Sequence, residues 1–323
     1  MTAFSAQALA ATLDAWRPAA ATGDVCVAFS GGLDSTVLIA ALAELKAAGW
    51  PRRVRAYHID HQLQPDAPAW AAHCAALSDK LGVPCENERV VVPVAEGQGV
   101  EAAARQVRYA ALYGQLQPGE TLLTAHHADD QLETVLLALL RGAGVRGLSA
   151  MPRSVAVGQG WHQRPLLEYC RADLELWAGA HVLSWVEDPT NRDPAYRRSY
   201  LRHEVVPALR ATWPQAAVVF SRSAGHLADA ADLLDDLARI DMQAVAEGPC
   251  LRVAALGELP SPRRRNLLRF WLRERGLTVP STAKLATLER DMLVARQDRH
   301  PVVTWRGAEV RRHRGLLHAS VVR

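Results

Sequence analysis

The sequence predicts an α/β protein with a doubly wound, mostly parallel sheet, followed by a helical connector and a smaller C-terminal domain. Short, nearly continuous apolar segments alternate with longer helical patterns up to about residue 188, which is typical of parallel strands covered by helices on both faces. From about residue 210 the alternation stops, and a long alanine- and leucine-rich helical stretch begins. We therefore expect three parts, at 1–208, 209–248 and 249–323.

Five strands are predicted in the first part, at Val25–Phe29, Val54–Ile59, Val83–Val92, Thr121–Ala125 and Val182–Val186. Helical patterns lie between them, at Ser35–Ala48, Asp66–Leu81, Val100–Leu116 and Asp129–Arg141. Because right-handed crossovers bring the carboxyl ends of parallel strands to one edge, polar residues that follow the strands should converge there. The stretch Arg210–Glu247 predicts one long helix. After it come a basic helix and a terminal pair of strands, around Val302–Trp305 and Leu316–Val321.

Composition narrows the class of protein. In 323 residues, 49% are hydrophobic and 22% charged, as in a globular protein. No apolar run reaches the ~20 residues that a membrane helix needs, and the N-terminal stretch is typical of an amphipathic helix and not of a signal peptide. The five cysteines form no CxxC pair, which predicts free thiols and a cytoplasmic location. A homodimer is an arrangement that the sequence leaves open.

The first chemical motif is the sequence SGGLDS at 30–35, between the first strand and its helix. Glycines let a phosphate approach the backbone N–H groups of a helix N-terminus, and the serine hydroxyls can donate to its oxygens. The lysine of a Walker loop is absent. Asp34 beside phosphates requires a bridging cation, for which magnesium is the expected choice. The alternative is an ordinary turn in which Asp34 and Ser35 cap the helix.

Two further stretches carry weaker signals. His58, Asp60 and His61 follow the second strand, but no third metal ligand has suitable spacing, so structural hydrogen bonding is the favoured interpretation. Arg105 and Arg108 lie one turn apart on a predicted helix and can meet one phosphate group, although such a pair also suits a solvated face.

The richest stretch is TAHHADDQLET, which begins at the fourth strand. Asp130 and Glu133 share a face of the helix that follows, and Asp129 lies within a turn of Glu133. Acidic residues there also complement the helix dipole. Since the other side of this helix is apolar and needs burial, the acidic end is left at the mouth of the sheet, where it could bind magnesium or an ammonium group.

SGGxDS resembles the signature of the PP-loop ATP pyrophosphatases, of adenine nucleotide alpha hydrolase-like fold, which bind ATP and transfer AMP to an oxygen of the substrate. Taken jointly, the sequence resembles the tRNA(Ile)-lysidine synthetase family over roughly residues 20–215, through the stretches HIDHQLQ, RQVRY, AHHADDQLET, RGAGVRGLSAMP, RPLL, WVEDPTN and RRSYLRHEVVPAL. One departure is Gln64, where the family usually has arginine; it weakens any phosphate or RNA role for that position.

The resemblance implies ATP-dependent ligation of free L-lysine to C2 of the wobble cytidine in the CAU anticodon of a minor tRNA(Ile). The cytidine is adenylated with release of pyrophosphate, and lysine then displaces AMP to give lysidine, which changes the codon read from methionine to isoleucine. The alternative is a PP-loop tRNA thiolation enzyme. Such enzymes generally use paired cysteines, and this sequence has no CxxC.

The resemblance also implies roles for the motif residues. The ATP cradle would be Ser30, Gly31, Gly32, Leu33, Asp34 and Ser35, with Asp34 on magnesium. Arg105 or Arg108 would offset charge on the phosphates. Asp130 and Glu133 would hold lysine or a metal, and His126 and His127 would serve in proton transfer or nucleotide contact. Three arginines would lie near the RNA, namely Arg197, Arg198 and Arg202.

The C-terminal region carries most of the positive charge. Residues 261–323 contain 15 lysines and arginines against 5 acidic residues, a local charge of +10 in a chain whose net charge is +3. Such asymmetry predicts contact with a polyanion, here the tRNA body, although a solvated helix face is the alternative. The candidate RNA-binding residues of this region are Arg263, Arg264 and Arg265.

Overall fold

The computed structural model describes residues 3–93, 100–188, 197–294 and 300–322. It divides into two compact units, Met1–Ala228 and Asp229–Arg323. The division falls within one long helix, α10 (Ala216–Val245), which covers most of the stretch predicted as a connector.

The first unit is built on a six-stranded sheet of order β3-β2-β1-β4-β6-β5. Its strands are β1 Val25–Ala28, β2 Val54–Asp60, β3 Cys85–Arg89, β4 Thr121–Leu123, β5 Ser154–Val157 and β6 Gly160–Gln163. The central strand β1 pairs in parallel with β2 and β4, and only the edge strand β5 is antiparallel to its neighbour within the described part of the sheet. The predicted fold class, a mostly parallel doubly wound sheet, is confirmed.

Helices flank this sheet. They are α1 Ala6–Ala15, α2 Leu33–Ala47, α3 Ala67–Leu81, α4 Val100–Gly114, α5 Ala128–Leu139, α6 Val145–Leu148, α7 Arg171–Ala180, α8 Arg197–Tyr200 and α9 Val206–Thr212, with a π-helical turn at Leu201–Val205. Helix α2 is the most buried because it is apolar on nearly every side, and Val37, Leu38 and Ile39 are fully covered. A helix of this composition can only be stable inside a core, so the loop before it is anchored rigidly.

The predicted strand at Val182–Val186 is wrong. This segment forms no strand; Val182 adopts a left-handed conformation with φ of 51° and is 87% exposed. The backbone N–H of Val186 donates instead to the carbonyl of Gly31 at 2.9 Å. The fifth parallel position of the sheet belongs to β6, which forms a hairpin with β5 that was not predicted. Gly160 opens β6 where a Cβ would overlap the Glu120 carbonyl oxygen, so only glycine fits.

The second unit packs helices against a five-stranded antiparallel sheet of order β7-β8-β11-β10-β9. Its elements are β7 Ala246–Glu247, β8 Cys250–Arg252, α11 Val253–Glu258, α12 Ser261–Glu274, α13 Thr282–Val294, β9 Val302–Trp305, β10 Ala308–His313 and β11 Leu316–Val321. The two predicted terminal strands, β9 and β11, are present but do not pair with each other, because β10 lies between them. Across the described ranges, no helix has the length and apolar character needed to cross a membrane.

Candidate active site

The loop between β1 and α2 has a shape that only glycine allows at Gly31. Its φ is +81°, and a Cβ would lie 2.9 Å from both Cys74 Sγ and Val186 Cγ2. Three hydroxyls brace the same loop. Ser35 Oγ donates to the Gly32 carbonyl at 3.0 Å, Thr36 Oγ1 donates to the Gly31 carbonyl at 3.3 Å, and the hydroxyls of Ser30 and Ser35 lie 3.1 Å apart. The exposed Ser30 and the backbone at the start of α2 remain at the surface, where an anion can bind.

Asp34, in the first turn of α2, has one engaged and one open oxygen. Its Oδ2 lies 3.6 Å from His127 Nε2 and 3.6 Å from an Arg171 guanidinium nitrogen. Its Oδ1 is buried and has no hydrogen-bond partner. A buried carboxylate oxygen without a partner is costly unless a ligand satisfies it. A magnesium ion that takes one carboxylate together with phosphate and water oxygens fits this geometry. In the described residues no group of three or more His, Cys, Asp and Glu side chains could hold a metal on its own.

His127, the residue before α5, joins the loop to the acidic motif. It is 1% exposed and lies among three carboxylates, with Nε2 3.6 Å from both Asp34 and Asp130 and Nδ1 3.4 Å from Asp129. Burial alone would lower the pKa of His127, but Asp130 and Asp34 outweigh burial and raise this pKa above its usual value. The pKa of Asp130 is lowered: its burial opposes this, but His127, Arg202 and Arg198 prevail. The cluster therefore favours a histidinium beside ionised carboxylates.

Asp130 and Glu133 share one face of α5, and two arginines meet them there. Arg202 donates from Nε to Glu133 Oε1 at 2.7 Å and from a terminal nitrogen to Asp130 Oδ1 at 2.9 Å. Arg198 Nε lies 3.0 Å from Glu133 Oε2, and another of its nitrogens donates to Thr134 Oγ1 at 2.7 Å. Glu133 is 1% exposed, so both of its oxygens need these partners. Arg198 and Arg202, which we predicted near RNA, thus contact the acidic pair, whereas Arg197 is exposed.

Asp129 has a different environment from its neighbour. One oxygen accepts the backbone N–H of Arg171 at 2.8 Å, and the other forms an ion pair with Arg210. These contacts connect α5 to the start of α7, through Arg171, and to the last turn of α9, through Arg210. Arg171 and Arg210 were not predicted as site residues, because they stand 42 and 81 residues from Asp129 along the chain. No local pattern links such distant positions.

The two arginines of α4 have separate partners. Arg108 Nε donates to His61 Nε2 at 2.8 Å, while the guanidinium of Arg105 lies over the Tyr109 ring at 5.1 Å from its centre. Burial, then Arg108, lowers the pKa of His61 to about 4. His58 hydrogen-bonds the Phe29 carbonyl at 2.8 Å, the structural role that the sequence favoured.

Nearby, Asp60 Oδ1 accepts the N–H of Gln62 at 2.8 Å, also a structural contact. Gln64 closes the turn before α3 through its carbonyl, which accepts the N–H of Ala67 at 3.2 Å. The stretch WVEDPTN is only partly described: Val186 seats against Gly31, and residues 189–191 lie outside the described ranges.

In the second unit four of the five arginines of α12 lie beside a carboxylate. Arg263 pairs with the buried Asp241, and Arg264 donates to Glu289 Oε1 at 2.8 Å. Arg265 donates to Ser261 Oγ at 2.7 Å and lies 3.7 Å from Glu289 Oε2. One turn further along, burial lowers the pKa of Arg269, and Arg265 and Arg273 lower it further. Arginines spaced four residues apart form a positive ridge along α12, namely Arg265, Arg269 and Arg273. Of these, Arg265 and Arg273 also lie beside carboxylates, those of Glu289 and Asp235.

Three features define the class of PP-loop nucleotide-binding domains. They are a mostly parallel sheet of this order, a glycine loop at the carboxyl end of β1, and a carboxylate with an unpartnered oxygen that can bind a cation. The family model described as a PP-loop domain matches residues 4–209, and one described as a TilS substrate binding domain matches residues 251–318. The chain belongs to the tRNA(Ile)-lysidine synthase family.

Curated relatives carry that name. A tRNA(Ile)-lysidine synthase of Alkalilimnicola ehrlichii is 49% identical over 293 residues, covering 91% of this chain and 66% of the relative. Those of Coxiella burnetii and Pseudomonas aeruginosa are each 45% identical, covering 91% and 94% of this chain and 66% and 69% of the relative. The chain thus spans about two thirds of the length of these relatives.

Among solved structures, a U34-tRNA thiolase from Methanococcus maripaludis is similar, with a TM-score of 0.56 and 15% identity. The likeness covers 69% of this chain and 77% of that one. At this level of identity the likeness shows the fold alone.

Proposed function

We propose that this protein ligates free L-lysine to C2 of the wobble cytidine of a tRNA(Ile) with a CAU anticodon, using ATP and magnesium. The observation that carries the proposal is the chain of contacts from the PP-loop to the acidic pair. Asp34 meets His127, His127 meets Asp130, and Asp130 shares Arg202 with Glu133. A nucleotide site and a site for an ammonium substrate are therefore neighbours, as a ligase that joins an activated base to an amine requires.

In this proposal Ser30–Ser35 binds the phosphates of ATP through backbone N–H groups and hydroxyls. The unpartnered Oδ1 of Asp34 supports a magnesium ligand at this residue; the ion would neutralise phosphate charge as pyrophosphate leaves. Arg105 and Arg108 are exposed on α4 and supply further positive charge to the phosphates.

Asp130 and Glu133 are proposed to hold the lysine. An ammonium or a carboxylate of lysine finds complementary charge here, because two carboxylates and two arginines lie within ion-pair distance of one another. A free amino acid carries both charges, so this mixed cluster suits lysine better than a bare divalent cation.

The proposed reaction has two steps. The cytidine C2 oxygen attacks the α-phosphorus of ATP, a P–O bond forms, and pyrophosphate departs. The lysine amino group, having lost a proton, then attacks C2. The C2–O bond breaks, AMP leaves with that oxygen, and a C–N bond remains in lysidine.

The second unit is proposed to hold the tRNA body. The ridge of α12 supplies guanidinium groups that fork onto phosphates. Arg269 is our preferred contact, because the other arginines of α12 already lie beside the carboxylates of Asp235, Asp241 and Glu289. On the first unit, the exposed Arg197 is the preferred contact near the anticodon. All five cysteines are free, which supports work in a reducing cytoplasm.

The competing proposal is tRNA thiolation on the same fold. That chemistry generally requires paired cysteines, whereas this sequence has no CxxC.

The first partial reaction, adenylation of the tRNA, distinguishes an enzyme from a nucleotide-binding module without catalytic activity. We expect ATP–pyrophosphate exchange that depends on tRNA and proceeds without lysine, and that is lost in Asp34→Ala. Exchange that occurs without tRNA, or none under any condition, would contradict adenylation of the RNA.

A further inference from the structure

A buried hydrogen-bond chain lies behind the acidic motif and takes no part in the contacts described above. Thr124 Oγ1 is 2.9 Å from His126 Nδ1 and 2.9 Å from His162 Nε2. On its far side, His162 Nδ1 is 3.0 Å from the Tyr113 hydroxyl and 3.3 Å from an Arg164 guanidinium nitrogen. Thr124, His162 and Arg164 are 6%, 0% and 7% exposed. We call Arg164, Tyr113, His162 and Thr124 the Arg164 relay.

The protons in this relay can be assigned from one fixed end. A guanidinium has only donors, so His162 Nδ1 must accept from Arg164 and cannot carry a hydrogen. Burial and the charge of Arg164 lower the pKa of His162 to about 2, which keeps its ring neutral. A neutral imidazole with a bare Nδ1 carries its proton on Nε2. His162 therefore donates to Thr124 Oγ1.

The next step follows from the single proton of the threonine hydroxyl. Within the described residues, the side-chain oxygen of Thr124 forms hydrogen bonds only with the two histidines. Since it accepts from His162, its own proton has one available acceptor, the Nδ1 of His126. If His126 donated instead, the buried threonine proton would be left without a partner, which proteins avoid. His126 Nδ1 is thus an acceptor.

We propose that the Arg164 relay fixes His126 as a neutral imidazole protonated on Nε2, so that His126 is a hydrogen-bond donor to an oxygen of the bound nucleotide. In the described residues the side chain of His126 hydrogen-bonds through Nδ1, and no group accepts a hydrogen bond from its Nε2. His126 follows β4 at the sheet edge that carries the PP-loop, next to His127, which contacts Asp34. The tautomer follows from the contacts alone, whereas the role toward nucleotide rests on the proposed function.

The two adjacent histidines therefore differ in charge and in role. His127 lies among carboxylates and favours its charged form, whereas His126 is neutral with its only lone-pair nitrogen occupied by Thr124. His126 is therefore not the group that removes a proton from lysine. Arg164 and His162 act through another residue, so they are positioning residues.

The test is a two-bond proton–nitrogen correlation spectrum of the full chain labelled with 15N-histidine, recorded at neutral pH without substrates. Peaks are assigned by their loss in His126→Asn and His162→Gln. We expect both histidines to be neutral and protonated on Nε2. A His126 that is protonated on Nδ1, or on both nitrogens, would overturn the proposal. Because no substrate is present, this result does not depend on the reaction that the protein catalyses.

Two variants test the relay itself. Thr124→Val keeps the shape and removes the hydroxyl, and Thr124→Ser is the matched control that retains it. We expect the Nδ1-protonated form of His126 to appear in the valine variant alone. We also expect the valine variant to lose about fivefold or more in kcat, with the KM for lysine little changed. An unchanged tautomer in Thr124→Val would overturn the relay, and the spectrum of the parent decides the tautomer even if that variant does not fold.

Discussion

Replacing Gly31 by alanine tests whether the PP-loop is built around a position that excludes a side chain. The φ of +81° would cost an alanine about 1–2 kcal/mol. The added Cβ would also lie 2.9 Å from Cys74 Sγ and from Val186 Cγ2, and such overpacking typically costs about 1–3 kcal/mol. We therefore expect Gly31→Ala to lower the free energy of unfolding by about 2–5 kcal/mol.

The matched control is Gly49→Ala. Gly49 has a φ of +89°, but a Cβ there meets nothing within 4 Å. Its variant should therefore lose only the conformational part, about 1–2 kcal/mol. Urea denaturation of both variants measures the difference, and nucleotide affinity should fall in Gly31→Ala alone.

A double variant separates the two costs further. Val186→Ala removes the methyl group that the new Cβ would strike, so Gly31→Ala should cost about 1 kcal/mol less in that background. Equal losses of stability in Gly31→Ala and Gly49→Ala, with no coupling to Val186, would refute the close approach of the 182–188 segment to the loop.

Four further outcomes are expected. Asp34→Asn should keep the melting temperature within a few degrees and abolish turnover at saturating magnesium, since its carboxylate is partly exposed; turnover within a few-fold of the parent would exclude it as a metal ligand. Glu133→Gln should raise the KM for lysine more than that for ATP, and a change confined to ATP would make Glu133 a nucleotide or metal ligand. Because the pKa of His162 is about 2 when folded and about 6.5 when unfolded, the unfolded state binds more protons between these values. Stability should thus fall by about 2 kcal/mol from pH 7 to 5 through this residue, and His162→Phe should show a correspondingly flatter pH dependence in denaturation curves. Arg269→Gln should flatten the log–log salt slope of tRNA binding by about 0.7–0.9, whereas Arg311→Gln, at an exposed position, should leave this slope unchanged. If both variants have the slope of the parent, Arg269 does not contact the RNA.

The sequence predicts the sheet, the loop and the acidic helix because each is a local signal. Apolar strands alternate with helices, and Asp130 and Glu133 stand three residues apart, so their shared face follows from helix geometry. The strand predicted at Val182–Val186 was wrong, because an apolar run alone does not distinguish a strand from a coil that covers a glycine loop. The hairpin of β5 and β6 was missed because β6, Gly160–Gln163, has no apolar run of the kind that indicates a buried strand.

The partners of the site could not be predicted in the same way. Arg202 reaches Glu133 across 69 residues of chain and Arg210 reaches Asp129 across 81, and basic residues in a basic stretch look alike until the fold is formed. Which arginines of α12 are paired depends on carboxylates of other helices, namely Asp235 and Asp241 on α10 and Glu289 on α13. These long-range ion pairs are determined by the packing of distant elements, which leaves no local pattern in the sequence.

Lysine ligation is tested most directly by incubating the protein with ATP, magnesium, radiolabelled lysine and total bacterial tRNA, and digesting the product to nucleosides. We expect label in one modified cytidine, formed together with AMP and pyrophosphate and absent from Asp34→Ala. Label absent from the RNA while ATP is still cleaved to AMP in the presence of tRNA would contradict lysine ligation and return the protein to the wider class of PP-loop tRNA-modifying enzymes.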